Sequence, residues 1–200
     1  MQKLLIATGN QGKFEGIKQY LQGLHFELLS LNDLNISIPD EIENGVTYEE
    51  NAMKKANYCA QKTGLLTLAD DSGLIVNALQ GELGVFTRRW GAGSSATDEE
   101  WLDFFMKRME HESNRRGKFV SCIQVIDKQG EVIVSARGES LGTITMVIES
   151  PIKSGIPLSS VFKADGCDKV NSALTIEEKN NISHRGKALK IIRKYFENNI

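Results

Sequence analysis

Apolar positions recur along the chain with two periods. Residues 3–7 form a short apolar run that stops at Thr8-Gly9-Asn10, which predicts a strand followed by a turn. Residues 13–24 then carry Phe14, Ile17, Leu21 and Leu24 at helical spacing. Residues 26–31 read as a second strand and 32–45 as an irregular loop. Thr47-Tyr48-Glu49-Glu50 fits a capping box that opens a helix ending at Thr63-Gly64. Residues 65–69 are strand-like and are expected to halt at Asp70-Asp71-Ser72-Gly73, ahead of another apolar run over 74–79. A second capping box, Thr97-Asp98-Glu99-Glu100, precedes a stripe of Leu102, Phe105, Met106 and Met109. Residues 118–127 and 131–138, joined around Lys128-Gln129-Gly130, predict an antiparallel hairpin, and 143–148 continue in β-rich composition. From Ser183 onwards Ala188, Leu189, Ile191, Ile192, Tyr195 and Phe196 give a last helix a broad apolar face. Early helices, a late hairpin and a C-terminal helix predict an α/β or α+β chain with a mixed sheet. No repeat or linker divides it, so residues 1–200 are expected to form one domain.

Composition narrows the class. The 200 residues hold 24 Lys+Arg and 26 Asp+Glu, a net charge of −2, which offers no global attraction to nucleic acid. No apolar stretch approaches the roughly 18–20 residues of a membrane span, and the apolar run at the N-terminus is too short for a secretory signal. Cys59, Cys122 and Cys167 are odd in number and far apart, without a C-x-x-C pair, which fits a reducing cytoplasm better than a disulfide or zinc framework. The 18 Gly and 3 Pro depart from the roughly 14 and 10 of ordinary usage, and point to special backbone positions within a folded domain.

Four segments carry candidate chemistry. Thr8-Gly9-Asn10-Gln11-Gly12-Lys13 lies between strand and helix. There a glycine-rich loop and free N–H groups can cradle an anion, and Lys13 sits against the helix dipole unless a phosphate is present. The competing reading is an ordinary tight turn. Glu50 either closes the capping box or serves as a carboxylate ligand for Mg²⁺, with Lys54 or Lys55 reaching a phosphate one turn on. Asp70-Asp71-Ser72-Gly73 puts adjacent carboxylates at an expected strand end, where a cation would relieve their repulsion, although the same residues are common in turns. Ser183, as a helix N-cap, brings His184 and Arg185 to a first turn, close to Lys179 in sequence. Arg88-Arg89-Trp90-Gly91 could add a cation and a stacking surface, and Trp90 could equally be core. Arg115-Arg116-Gly117-Lys118 is assigned no role beyond a solvated turn.

In this order the segments resemble the inosine triphosphate pyrophosphatase family, enzymes that clear non-standard purine nucleoside triphosphates. The resemblance spans nearly the whole chain. It rests on Thr8-Gly9-Asn10 with Lys13, Glu50-Asn51-Ala52 with Lys55-Ala56, Asp70-Asp71-Ser72-Gly73-Leu74, and Glu178-Lys179-Asn180 leading to Ser183-His184-Arg185. Gly81, Gly84, Thr87, Arg89, Trp90 and Gly91 match a further family segment more loosely. The resemblance implies two lobes of a mixed sheet flanked by helices with an active-site cleft between them, a cytoplasmic homodimer, and Mg²⁺-dependent cleavage between the α- and β-phosphates of ITP, dITP or XTP. It implies that Thr8, Gly9, Asn10, Lys13 and Lys55 hold phosphates, and that Glu50, Asp70 and Asp71 serve the metal, with Asp71 as the base. Ser72, Lys179, Ser183, His184 and Arg185 would face the nucleobase, and Arg89, Ile156 and Ser159 would be further ligand contacts.

One segment departs from the family. Where members usually carry Gly-Phe-Gly-Tyr/Trp-Asp-Pro, this chain has Gly155-Ile156-Pro157-Leu158-Ser159-Ser160. A stacking ring becomes Ile156, a second aromatic Leu158, and a carboxylate Ser159. Two alternatives follow: the same chemistry on a modified or pyrimidine nucleotide, or a nucleotide-binding regulator without turnover.

Overall fold

The strand, turn and helix expected at the N-terminus are β1 (Gln2–Ile6) and α1 (Gln11–Leu21). The computed structural model describes residues 1–87, 90–93 and 95–199. The chain continues through β2 (Phe26–Ser30), α2 (Tyr48–Thr63), β3 (Leu66–Val76), α3 (Asp98–Arg108), β4 (Arg116–Ile126), β5 (Val132–Ile144), β6 (Phe162–Ala164), α4 (Ile176–Ile182) and α5 (His184–Asn199). The six strands form one mixed sheet in the order β2-β1-β3-β4-β5-β6, parallel across β2, β1 and β3 and antiparallel beyond. This is the α/β architecture that the pattern predicts.

Local chemistry explains most boundaries. Thr47 accepts from the Glu50 N–H at the start of α2, and Gly64 closes that helix at φ +66. Thr97 and Glu100 form a complete capping box on α3. Two expectations need correction. The strand expected to halt at Asp70 continues to Val76, because every residue from Thr67 to Val76 finds an antiparallel partner on β4. The turn assigned to 115–118 is nearly all strand. Arg115 before it is buried, its guanidinium donating to the carbonyls of Met109, Ile144 and Thr145. Those carbonyls lie at the ends of α3 and β5, and the Met109 carbonyl also accepts the Glu112 N–H at 3.1 Å.

The length of β3 sets where the functional cleft lies. Side chains alternate across a sheet, and the even-numbered residues of β3 face one side throughout. Leu66 and Leu68 join a core with Phe14, Ile17 and Leu21 of α1 and Leu189, Ile192 and Phe196 of α5. Leu74 and Val76 join a second core with Trp101, Leu102 and Phe105 of α3 and with Leu158 and Phe162. Asp70 and Ser72 fall between. On β4, Ser121 takes the same place between Ile123 of the first core and Phe119 beside the second. The odd face packs Ala69 against Ala56, Cys59 and Ala60 of α2. One long strand thus serves two cores on one face, and a polar seam runs between them.

Candidate active site

The alternation in β3 sends the adjacent carboxylates to opposite faces. Asp70 enters the seam, where its side chain is fully buried and its Oδ2 lies 3.0 Å from Lys13 Nζ. Arg185 donates to the same oxygen from Nε and Nη2, each at 3.3 Å, and the Ser121 hydroxyl donates to Oδ1 at 2.5 Å. Burial alone would raise the Asp70 carboxyl. Lys13, Arg185 and the Ser121 hydroxyl outweigh it and hold the group well below the usual carboxylate range. The mutual repulsion expected of Asp70 and Asp71 is therefore relieved by the pleat and by separate cations.

Asp71 faces α2. Lys55 donates to its Oδ1 at 2.9 Å, and Asn51 donates to its Oδ2 at 3.3 Å. Lys55 and Asn51 reach it together because positions four apart share a helix face. Lys55 Nζ also lies 2.8 Å from Glu43 Oε1, so one ammonium ties two carboxylates. Burial works to lower Lys55, but Asp71 and Glu43 raise it above the ordinary lysine value.

A cavity of about 600 Å³ opens onto both sets. Thr8, Gly9, Asn10, Lys13, Lys55, Asp71 and Ser72 line it together with Ile156, Ser159, Lys179, Ser183, His184 and Arg185. The four sequence segments therefore converge on one space. Asn10 caps α1 by accepting from the Lys13 N–H at 2.9 Å, which fixes the loop before the helix with its N–H groups near the cavity. Ser183 ends α4 and caps α5, accepting from the Gly186 N–H at 3.0 Å. The first turn of α5 can lie this close to the sheet because β5 has Gly138 beneath it; any side chain there would strike the His184 carbonyl. His184 stacks on Phe119 with ring centroids 4.7 Å apart. Burial and the nearby Arg185 push it well below the usual histidine value, so it is neutral. Burial, with Arg185 and Lys153 nearby, lowers Lys179 to about 8.

Two of the expected ligands stand apart from the cavity wall. Asp70 lies behind Lys13 and Arg185. Glu50 is turned towards α2's own entrance, accepting from the Val46 N–H at 2.9 Å and pairing with Lys54 at 2.7 Å. The carboxylate that does join Asp71 is Glu43, from the irregular loop, where no periodic pattern marked it. Trp90 packs edge-on against Trp101, Phe104 and Phe105, which makes it part of the second core's border. Arg89 lies outside the described residues. The segment preceding α5 holds a second helix, α4, unexpected from the pattern although Thr175-Ile176-Glu177-Glu178 has the capping-box spacing that would have found it.

Among the described residues no group of three or more His, Cys, Asp or Glu side chains encloses an ion alone. The Glu43–Lys55–Asp71 cluster nonetheless suits Mg²⁺. That ion is bound through one or two protein carboxylates, with waters and substrate phosphates completing its shell.

Comparison with known proteins places the whole chain. A dITP/XTP pyrophosphatase of Deinococcus deserti is 38% identical over 192 residues, 96% of this chain and 88% of that protein. One from Haemophilus influenzae is 35% identical, covering 96% and 97%. The solved structure of a HAM1 protein from Coxiella burnetii superposes with a TM-score of 0.83 at 29% identity, covering 99% of this chain and all of that one. Residues 4–195 match the Ham1 family, and the chain belongs to it.

Proposed function

We propose that the chain hydrolyses non-standard purine nucleoside triphosphates (ITP, dITP and XTP) between the α- and β-phosphates, giving a nucleoside monophosphate and pyrophosphate. The observation that carries this reading is Asp71. It borders a cavity whose phosphate-suited end holds Asn10, Lys13 and Lys55, and Lys55 and Asn51 fix its carboxylate from α2. The relatives named as dITP/XTP pyrophosphatases supply the substrate class.

In this reading Lys13, Lys55 and the N–H groups following Asn10 hold the triphosphate and compensate its charge. Asp71 orients a water and takes its proton as the oxygen attacks the α-phosphorus, while pyrophosphate departs. Lys55 fixes which way the Asp71 carboxylate points. Mg²⁺, when bound, neutralises charge on the triphosphate and the departing pyrophosphate. Glu43 and Asp71 are the oxygen donors that the geometry favours for it, ahead of Glu50. Asp70 serves as the counter-ion that holds Lys13 and Arg185 in the seam. Ser72, Lys179, Ser183, His184 and Arg185, with Ile156 and Ser159, receive the sugar and base.

The activity belongs, in this proposal, to one domain over residues 1–200, acting on free nucleotides in the cytoplasm as a homodimer. Cys59, Cys122 and Cys167 are unbridged, and no described helix is long and apolar enough to cross a membrane.

A second reading keeps the chemistry and changes the base. Ile156 and Ser159 wall the cavity where the family pattern has an aromatic ring and a carboxylate, which favours a modified or pyrimidine nucleotide. A nucleotide panel with Mg²⁺, scoring pyrophosphate apart from orthophosphate, decides among these. Turnover of ITP and XTP with pyrophosphate release is expected. Selective pyrimidine turnover would move the assignment to the second reading, and saturable binding without turnover would make the protein a regulator. Orthophosphate alone would sink the proposed cleavage site.

A further inference from the structure

Asp98 is the first residue of α3, inside the Thr97–Glu100 capping box, and lies outside the four segments that carry candidate chemistry. Its Oδ2 accepts the Gly155 N–H at 2.6 Å. The same peptide segment turns its other side to the phosphate end, where Asn10 Nδ2 donates to the Gly155 carbonyl at 2.7 Å. Asn10 in turn accepts the Lys13 N–H at 2.9 Å. One unbroken line of hydrogen bonds therefore runs from the second core, through Gly155, to the loop ahead of α1.

Gly155 is suited to this place twice over. Its φ is +75, which side chains rarely adopt, and an added Cβ would meet Asn10 Oδ1 at 2.6 Å. Immediately after it come Ile156 and the short helical turn Pro157–Ser160, of which Ile156, Pro157, Leu158 and Ser159 line the cavity. Gly155 is thus the joint between the Asn10 loop and the cavity-lining segment that starts at Ile156. Asn10 holds one side, Asp98 the other, and the Asp98 carboxylate makes its bond a strong, charge-assisted one.

We propose that Asp98 is a positioning residue which, through Gly155, sets the distance between the phosphate subsite and the base subsite. This inference rests on the nucleotide reading above. It does not follow from the roles assigned there, since Asp98 touches neither phosphate nor base. A ligand that fills only the phosphate end is indifferent to that distance, whereas a nucleoside triphosphate must satisfy both ends together.

The test compares Asp98→Ala and Asp98→Asn with the wild-type protein. It measures kcat and KM for the best triphosphate of the panel, and the inhibition constant of inorganic tripolyphosphate. Asp98→Ala is expected to raise KM about tenfold while the tripolyphosphate constant moves less than about twofold, the loss of one charged hydrogen bond being worth ~1.5 kcal/mol. Asp98→Asn keeps an acceptor oxygen and is expected to stay within about threefold of wild type. A parallel rise in both constants would overturn the inference, as would an Asp98→Asn protein as impaired as Asp98→Ala. If Asp98→Ala does not fold, Asp98→Ser replaces it. Wild-type protein that neither binds nor turns over any triphosphate would overturn the nucleotide reading itself, and this inference with it.

Discussion

Asp70 and Asp71, consecutive in β3, are held by lysines on different helices: Lys13 of α1 at 3.0 Å and Lys55 of α2 at 2.9 Å. The pleat gives each carboxylate its own face of the sheet and its own surroundings. Asp70 is enclosed, and Lys13, Arg185 and the hydroxyls of Ser121 and Ser72 all donate to it. Asp71 borders the cavity. Two residues of one type, side by side, thereby have different surroundings, and the proposed function gives the chemical work to Asp71 alone.

Asparagine substitutions separate the two roles. Asp71→Asn is expected to lower kcat by about 10²–10⁴ with the unfolding midpoint in urea little changed. Asp70→Asn leaves Lys13 and Arg185 in the seam without a counter-charge and should cost about 3–5 kcal/mol of stability in the same titration. The Asp70 carboxyl is held below its unfolded value, so its contribution is present above about pH 4 and is lost as pH falls further. The stability difference between wild type and Asp70→Asn should accordingly shrink in acid. An Asp71→Asn protein with near-normal turnover would remove Asp71 as the base.

Lys179 titrates near pH 8, so its ammonium is available to a polar or anionic ligand below that value and disappears above it. The second-order constant kcat/KM, which reports on the free protein, should fall as pH rises through about 8. Lys179→Arg, which stays charged, should move that decline well upward. An unchanged alkaline limb in Lys179→Arg would show that another group sets it.

Ile156 offers the simplest probe of the altered base segment. Ile156→Phe restores a ring and should lower KM for ITP roughly tenfold, base–aromatic stacking being worth about 1–3 kcal/mol. The tripolyphosphate inhibition constant should not move. Unaltered KM values across the panel would mean that the base does not lie against residue 156.

Local signals were legible wherever one segment carries its own cause. The strand, Gly9-Asn10 turn and helix at the N-terminus, the Thr47 and Thr97 caps and the β4–β5 hairpin each follow from residues within a few positions of one another. Features made by distant partners were not. Asp70-Asp71-Ser72-Gly73 has turn composition, and only its pairing with β4 makes it strand. Glu43 belongs to the site because Lys55 reaches it, and nothing in the loop's own pattern marks it. The role of Arg115 depends on carbonyls 6, 29 and 30 residues away.

The polar seam between the two cores has a mechanical consequence. Apolar contacts resist separation because parting them wets hydrocarbon. Along the seam the surfaces that meet are carboxylate, hydroxyl, guanidinium and ammonium, supplied by Asp70, Ser72, Ser121, Arg185 and Lys13. Water can solvate each of these as they part, while the two flanking cores stay dry. Polar side chains, on an unbroken pair of strands, thus join what hydrocarbon would otherwise have fused into one core.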